Sequence, residues 1–157
     1  MKFFIGKSDC KLDDKGRLVF PSDLKGQLAA FGEDSLIVRK DIKQKCLNLY
    51  TQESWAEAID NIEELLDLND PQDYEMWVSF MQEGEKVTPD EKTGRILIPR
   101  HLLEEVGAIK EMVFASVKNI IKLWAKEEYI RVRAEMSDHR LATALAERSR
   151  NRKKEKE

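Results

Sequence analysis

The chain has 157 residues, 27 Lys and Arg against 30 Asp and Glu for a formal net charge of −3, and 41% apolar residues; that suits one ordinary domain or two very small ones. No apolar run approaches the roughly 20 residues a membrane helix needs, and Met1–Gly6 is too short for a signal peptide. Two cysteines, Cys10 and Cys46, build neither a disulfide framework nor a zinc site, which leaves a cytosolic domain of mixed α and β structure with reduced thiols.

In chain order, Lys11–Asp13 leads into a tight turn at Lys15-Gly16, where glycine supplies a positive φ. A strand over Leu18–Phe20 follows and is ended by Pro21, which has no amide to donate to a ladder. Ser22–Ala29 reads as a short helix with Leu24 and Leu28 on one face. Leu36–Val38 and Leu47–Tyr50 read as strands. Thr51 or Ser54 can cap a helix whose apolar face is Trp55, Ile59, Ile62, Leu65 and Leu66. Asn69-Asp70-Pro71 has the form of an N-cap with proline at the first helical position. The helix it starts carries Tyr74, Trp77, Val78 and Met81 and stops at Gly84. Aromatic side chains at this helical spacing indicate packing rather than a ligand box. Arg100–Val106 is a helix stopped by Gly107, and Val113–Ser116 and Ile120–Trp124 are strands. Lys126–Arg148 reads as one longer helix, and the charged tail 149–157 as disordered.

These elements repeat. Asp13-Asp14-Lys15-Gly16-Arg17-Leu18-Val19-Phe20-Pro21 is echoed by Glu91-Lys92-Thr93-Gly94-Arg95-Ile96-Leu97-Ile98-Pro99. Leu36-Ile37-Val38 answers Met112-Val113-Phe114, and Leu47-Asn48-Leu49-Tyr50 answers Ile121-Lys122-Leu123-Trp124. The next aromatic recurs five residues later in each copy, as Trp55 and Tyr129, and four matches in the same order mark an internal duplication. It divides the chain into module 1 (7–52), a helical linker (53–82), module 2 (83–126), a C-terminal helix (127–148) and the tail. Each module exposes strand edges and can bury only one face, so it needs the other module or another subunit.

Charge is segregated. Residues 57–91 hold twelve acids and a single base, Lys86, whereas residues 1–45 and 131–157 are net positive. An acidic protein can therefore still present a local basic patch to phosphate.

No catalytic constellation assembles. His101 and His139 are the only histidines, and His101 falls where module 1 has Asp23. There is no phosphate-binding glycine loop and no metal-ligand spacing. The expectation is no catalysis, no metal and no cofactor. What does repeat is a hairpin turn bearing glycine, arginine and bases behind an acid. Lys15, Arg17, Lys92 and Arg95 are the candidate DNA-binding residues, because arginine can pair bidentately with guanine O6 and N7 and lysine suits phosphate. Asp13 and Glu91, four residues before each arginine, would fix its rotamer, and Gly16 and Gly94 would let the backbone approach a duplex. A one-residue shift of register would make Asp90 the acid of the second turn.

The doubled turn, the Gly-Arg-Leu-x-x-Pro run, and the Leu-x-Leu-Tyr and Lys-Leu-Trp strands resemble the MraZ family of bacterial transcriptional regulators. The resemblance runs from about Phe3 to Tyr129. It implies an α+β fold in which two AbrB-like swapped-hairpin modules form a pseudo-symmetric β-barrel. It also implies a ring-like homo-oligomer on double-stranded DNA, repressing from repeated promoter boxes upstream of the division and cell-wall gene cluster, in the cytoplasm and on the nucleoid. Neither a membrane nor a small-molecule substrate is expected. The alternative is an AbrB-like antitoxin that binds DNA and neutralises a toxin protein.

Overall fold

The computed structural model describes residues 2–156. It divides into two compact units, one ending at Lys126 and the other beginning at Glu127.

In the first unit, β1 (Lys7–Lys11) and β2 (Arg17–Val19) flank the first turn, and α1 (Ser22–Ala30) follows Pro21. β3 (Leu36–Lys40) and β4 (Leu47–Tyr50) complete the first repeat. The helices α2 (Gln52–Leu65) and α3 (Pro71–Gln82) intervene. The second repeat then runs β5 (Glu85–Val87), β6 (Arg95–Leu97), α4 (Arg100–Glu105), β7 (Glu111–Val117) and β8 (Ile120–Ala125). The strand leading into the first turn lies further upstream than Lys11–Asp13. Its sequence, Lys-Ser-Asp-Cys-Lys, has no apolar alternation to reveal it, since β1 is an edge strand guarded by charge.

The two repeats interlock. All pairs in the six-stranded sheet, ordered β1-β7-β8-β4-β3-β5, are antiparallel. β1 of the first repeat pairs with β7 of the second, and β5 of the second pairs with β3 of the first. β2 and β6 form a separate two-stranded ribbon. Leu18 stands opposite its own counterpart Ile96 in the ribbon, and Asn48 opposite its counterpart Lys122 in the sheet. A pseudo-twofold axis therefore passes through both pairs. Each repeat hands one edge strand to the other, which answers the unsatisfied edges of a single module.

The core follows from period-two alternation. Leu36, Val38, Leu47, Leu49, Ile121 and Leu123 are buried on one face of the sheet in a single cluster with Leu18 and Ile96 of the ribbon. Phe20 meets Phe114 edge-on at 5.6 Å. Leu24 and Leu28 of α1 and Leu102 and Leu103 of α4 join the same cluster. The opposite face carries Ile37, Arg39, Asn48, Tyr50 and Lys122, and α2 and α3 pack there. Trp55 lies against Tyr50 at 5.1 Å and stacks on Phe80 at 5.3 Å. Trp55 and Phe80 are thus packing groups, whereas Tyr74 is exposed.

Both helix starts follow their sequence signals. Thr51 caps α2 in a capping box with Ser54, and Asp70 caps α3 ahead of Pro71.

In the second unit the single helix expected over Lys126–Arg148 is instead two, α5 (Lys126–Ala134) and α6 (Asp138–Lys156). The break is local chemistry: Ser137 Oγ accepts from the Arg140 amide at 3.1 Å and starts a new helix. The expectation of a disordered tail is also corrected, because α6 continues to Lys156; Arg, Lys and Glu are strong helix formers. Glu157 lies outside the described residues. Among the described residues no helix is long and apolar enough to cross a membrane.

Candidate nucleic-acid interface

The first turn is built by one carboxylate. Asp13 Oδ1 accepts the amides of Lys15 at 2.9 Å and Arg17 at 2.8 Å, and Asp13 Oδ2 accepts Arg17 Nε at 2.8 Å. The Asp13 carbonyl accepts the Gly16 amide at 3.1 Å, with Gly16 at φ +82°, a left-handed conformation that favours glycine. The Arg17 amide, against an opposing effect of burial, and then its side chain and the Lys15 amide hold the Asp13 carboxyl below the usual carboxylate range. The ion pair uses only Nε, so the terminal amines of the guanidinium are available to a ligand.

The second turn has one residue more. Its acid is Asp90, not Glu91, which is exposed beyond it. Asp90 Oδ2 accepts the amides of Lys92 at 3.1 Å and Thr93 at 2.8 Å and the Thr93 hydroxyl at 2.9 Å. Thr93 Oγ1 in turn accepts the Arg95 amide at 3.3 Å. Thr93 thus relays the bond that Asp13 makes directly. The bonds from Thr93 are the main cause of the lowered Asp90 pKa, with Lys92 and the nearby Lys25 charge adding to them. The same insertion accounts for the strand registers. Position 9 of β1 faces Val113, and Val87 of β5, offset by 78, faces Leu36 rather than Ile37.

The ribbon orients both arginines. Arg17 pairs with Leu97 and Val19 with Arg95, so Arg17 and Arg95 are diagonal neighbours, roughly 7–8 Å apart by ladder geometry. Leu18 and Ile96 point into the core, and alternation turns Arg17, Val19, Arg95 and Leu97 outward. Val19 and Leu97 are 55% and 59% exposed. The ladder is extended at both ends by matched bonds, from the Phe20 amide to the Gly94 carbonyl at 2.8 Å and from the Ile98 amide to the Gly16 carbonyl at 3.0 Å. Each turn is therefore anchored on the other repeat.

Lys15 and Lys92 are exposed at the turn tips. The structure adds two cations that sequence spacing does not group with them. Arg100 of α4 lines a groove with Asp13, Lys15 and Leu97, and the Lys25 charge of α1 acts on Asp90. Each comes from the repeat that does not supply the adjacent turn, so no short-range signal could have found it. The acidic α2–α3 pair packs on the opposite face of the six-stranded sheet, so its carboxylates are kept away from the ribbon.

Burial pushes the Cys10 thiol up to about 12 and the Cys46 thiol up to about 11, leaving both protonated and poorly nucleophilic at neutral pH. Among the described residues no three His, Cys, Asp or Glu side chains converge to hold a metal ion.

Two interlocked β-rich repeats presenting arginine-bearing turns on one ribbon define a duplicated α+β protein whose surface chemistry suits a polyanion. A family model described as "MraZ protein, putative antitoxin-like" matches the chain twice, over residues 3–73 and 80–152, one match on each repeat. The chain belongs to the MraZ family. A relative from Bacteroides fragilis, named Transcriptional regulator MraZ, is 38% identical over 124 residues, covering 79% of this chain and 78% of its own. Relatives of the same name come from Bacteroides thetaiotaomicron, 35% identical over 92% of this chain and 90% of theirs, and Christiangramia forsetii, 34% identical over 85% of each.

Proposed function

We propose that the protein is a DNA-binding transcriptional regulator whose β2–β6 ribbon enters the major groove. That groove admits a two-stranded ribbon. Arg17 and Arg95 read base edges, Lys15 and Lys92 hold phosphates, and Val19 and Leu97 offer aliphatic surface of the kind that suits a thymine methyl. Asp13 and Asp90, with Gly16 and Gly94, keep the turns in shape. The observation that carries the reading is the pseudo-symmetric pair of arginines on one solvent-facing ribbon, with the acidic helices on the far side of the sheet.

In this reading residues 7–52 and 83–126 are two modules of an AbrB-like swapped-hairpin barrel, and the exchange of β1 and β5 between repeats supports it. The chain works as a ring-like homo-oligomer in the cytoplasm and on the nucleoid. It represses from repeated promoter boxes upstream of the division and cell-wall gene cluster, without catalysis or cofactor. The test is a gel shift with the duplex upstream of the protein's own gene against excess shuffled competitor. Retained shifts support the reading, and loss of every shift to the shuffled competitor overturns it.

A second reading, an antitoxin that neutralises a toxin protein, is favoured by the words of the family description. It predicts a stoichiometric complex with a toxin encoded beside the gene.

A further inference from the structure

We propose that the C-terminal end of α6, Arg148–Lys156, is a second DNA-binding element that grips phosphates independently of sequence. The proposal rests on the reading that the ribbon binds DNA.

Six of the nine side chains in this stretch are cationic, Arg148, Arg150, Arg152, Lys153, Lys154 and Lys156, against Glu155. All are exposed, and α6 has no buried residue along its length. α5 handles its arginines differently. Arg131 is ion-paired to Glu128 and Glu135, and Arg133 lies over the Tyr129 ring at 5.4 Å. Among the described residues, no ion pair joins any of the six α6 cations to a carboxylate, so their charge is open to an outside partner.

A highly charged helix that buries nothing draws no stability from packing, which is where most helical stability in proteins comes from. Neutralisation by a polyanion would supply what packing does not. The arrangement around the helix indicates which polyanion. Arg148, Arg152 and Lys156 follow one another at i, i+4 and i+8 on one side. Arg150 and Lys154 lie on the opposite side, with Lys153 between. A protein surface would meet one side only and leave the other row unpaired. A helix about 10–12 Å across in a groove about 12 Å wide meets phosphates on both walls. This favours duplex DNA over the acidic α2–α3 surface of a second copy.

The test compares three full oligomeric proteins: the parent, a chain ending at Glu147, and a full-length variant with the six cations changed to Gln. Because α6 buries nothing, both variants should fold as the parent does. Fluorescence anisotropy would follow binding to the duplex upstream of the protein's own gene and to a shuffled duplex, across a KCl series. Every phosphate that a variant no longer neutralises lowers the slope of log affinity against log salt by about 0.9. Both variants should therefore show a slope reduced by about 3–5. At near-physiological salt, affinity should fall by about tenfold or more on both duplexes alike, leaving the preference between them intact. Unchanged slope and affinity would overturn the proposal. So would a smaller oligomer by light scattering with an unchanged slope, which would make the tail a bridge between subunits. If the parent itself shows neither preference nor salt dependence, the ribbon reading fails and this proposal falls with it; a preferring parent with indifferent variants overturns the tail alone.

Discussion

Asn48 and Lys122 stand opposite each other at matching positions of the two repeats, and the Lys122 ammonium donates to Asn48 Oδ1 at 3.1 Å. The same ammonium reaches Asp41 Oδ1 at 3.1 Å, and Asn48 Nδ2 donates to that oxygen at 2.9 Å. The pair on the pseudo-twofold axis therefore fastens the β3–β4 loop to the strand of the other repeat. The symmetry is broken chemically where it is met geometrically. Lys122→Ala would leave the Asp41 carboxylate, 14% exposed, without its cation. A cost of about 3 kcal/mol is expected, at the low end for a broken buried pair because the Asn48 and loop amide bonds persist. Urea unfolding at fixed chain concentration measures it.

Asp41 also sets an acid limit. Burial opposes its charge, but bonds from Asn48, the Gln44 amide, Lys122 and the Lys43 amide outweigh that and hold its carboxyl well below the usual range. A folded pKa below the unfolded value, about 3.9, gives stability that is full above that value and is lost as pH falls toward the folded one. Asp41→Asn should thus be less stable than the parent at pH 7, with the gap narrowing as pH drops below about 4. A gap that stays constant on acidification contradicts this account.

Gly16 and Gly94 both have positive φ, +82° and +70°, but differ in surroundings. A Cβ on Gly16 would stand 3.4 Å from both the Ile98 carbonyl and Leu103 Cδ1, whereas on Gly94 its nearest neighbour is the Phe20 carbonyl at 3.9 Å. Alanine at either position should cost about 1–2 kcal/mol for the left-handed backbone, and Gly16→Ala should be the worse of the two. Thermal melts of the two variants side by side would show the order.

Much of this was legible because the fold is duplicated. The echo of Leu18-Val19-Phe20 in Ile96-Leu97-Ile98 located the paired strands, and Thr51, Asp70 and Pro71 carried enough local chemistry to place two helix starts. Other features were hidden for identifiable reasons. β1 is a polar edge strand with no periodicity to read. Glu91 aligned with Asp13 by spacing, with Asp90 as the acid only under a one-residue shift of register, and the hydrogen bonds from Lys92 and Thr93 decide for Asp90. Lys25 and Arg100 reach the turns through packing between repeats, which no linear motif encodes. The α5–α6 break depended on a serine cap that a helical pattern running through it concealed.

Asp13 and Asp90 should matter unequally to binding. Asp13 grips the Arg17 side chain as well as the turn amides, while the bonds of Asp90 go to Lys92 and Thr93. Asp13→Ala frees the guanidinium, whose ordering must then be supplied on binding, so DNA affinity should fall severalfold. Asp90→Ala should have a smaller effect, because Arg95 is not clamped by its acid. Equal losses in the two variants, read by anisotropy on one duplex, would contradict the asymmetry.

The most direct test of the ribbon is Arg17→Ala, assayed on the duplex upstream of the protein's own gene and on its shuffled counterpart. If Arg17 reads a base, affinity for the upstream duplex should fall by roughly 1–3 kcal/mol per base read while affinity for shuffled DNA changes less, so the preference narrows. Arg95→Ala should do the same more weakly, and Lys15→Ala should weaken both duplexes alike and lower the salt slope. Oligomer size should be unchanged in all three, because these side chains face solvent. An Arg17→Ala/Arg95→Ala double variant that folds, keeps its size and binds the upstream duplex with the parent's affinity and preference would show that the ribbon does not read DNA.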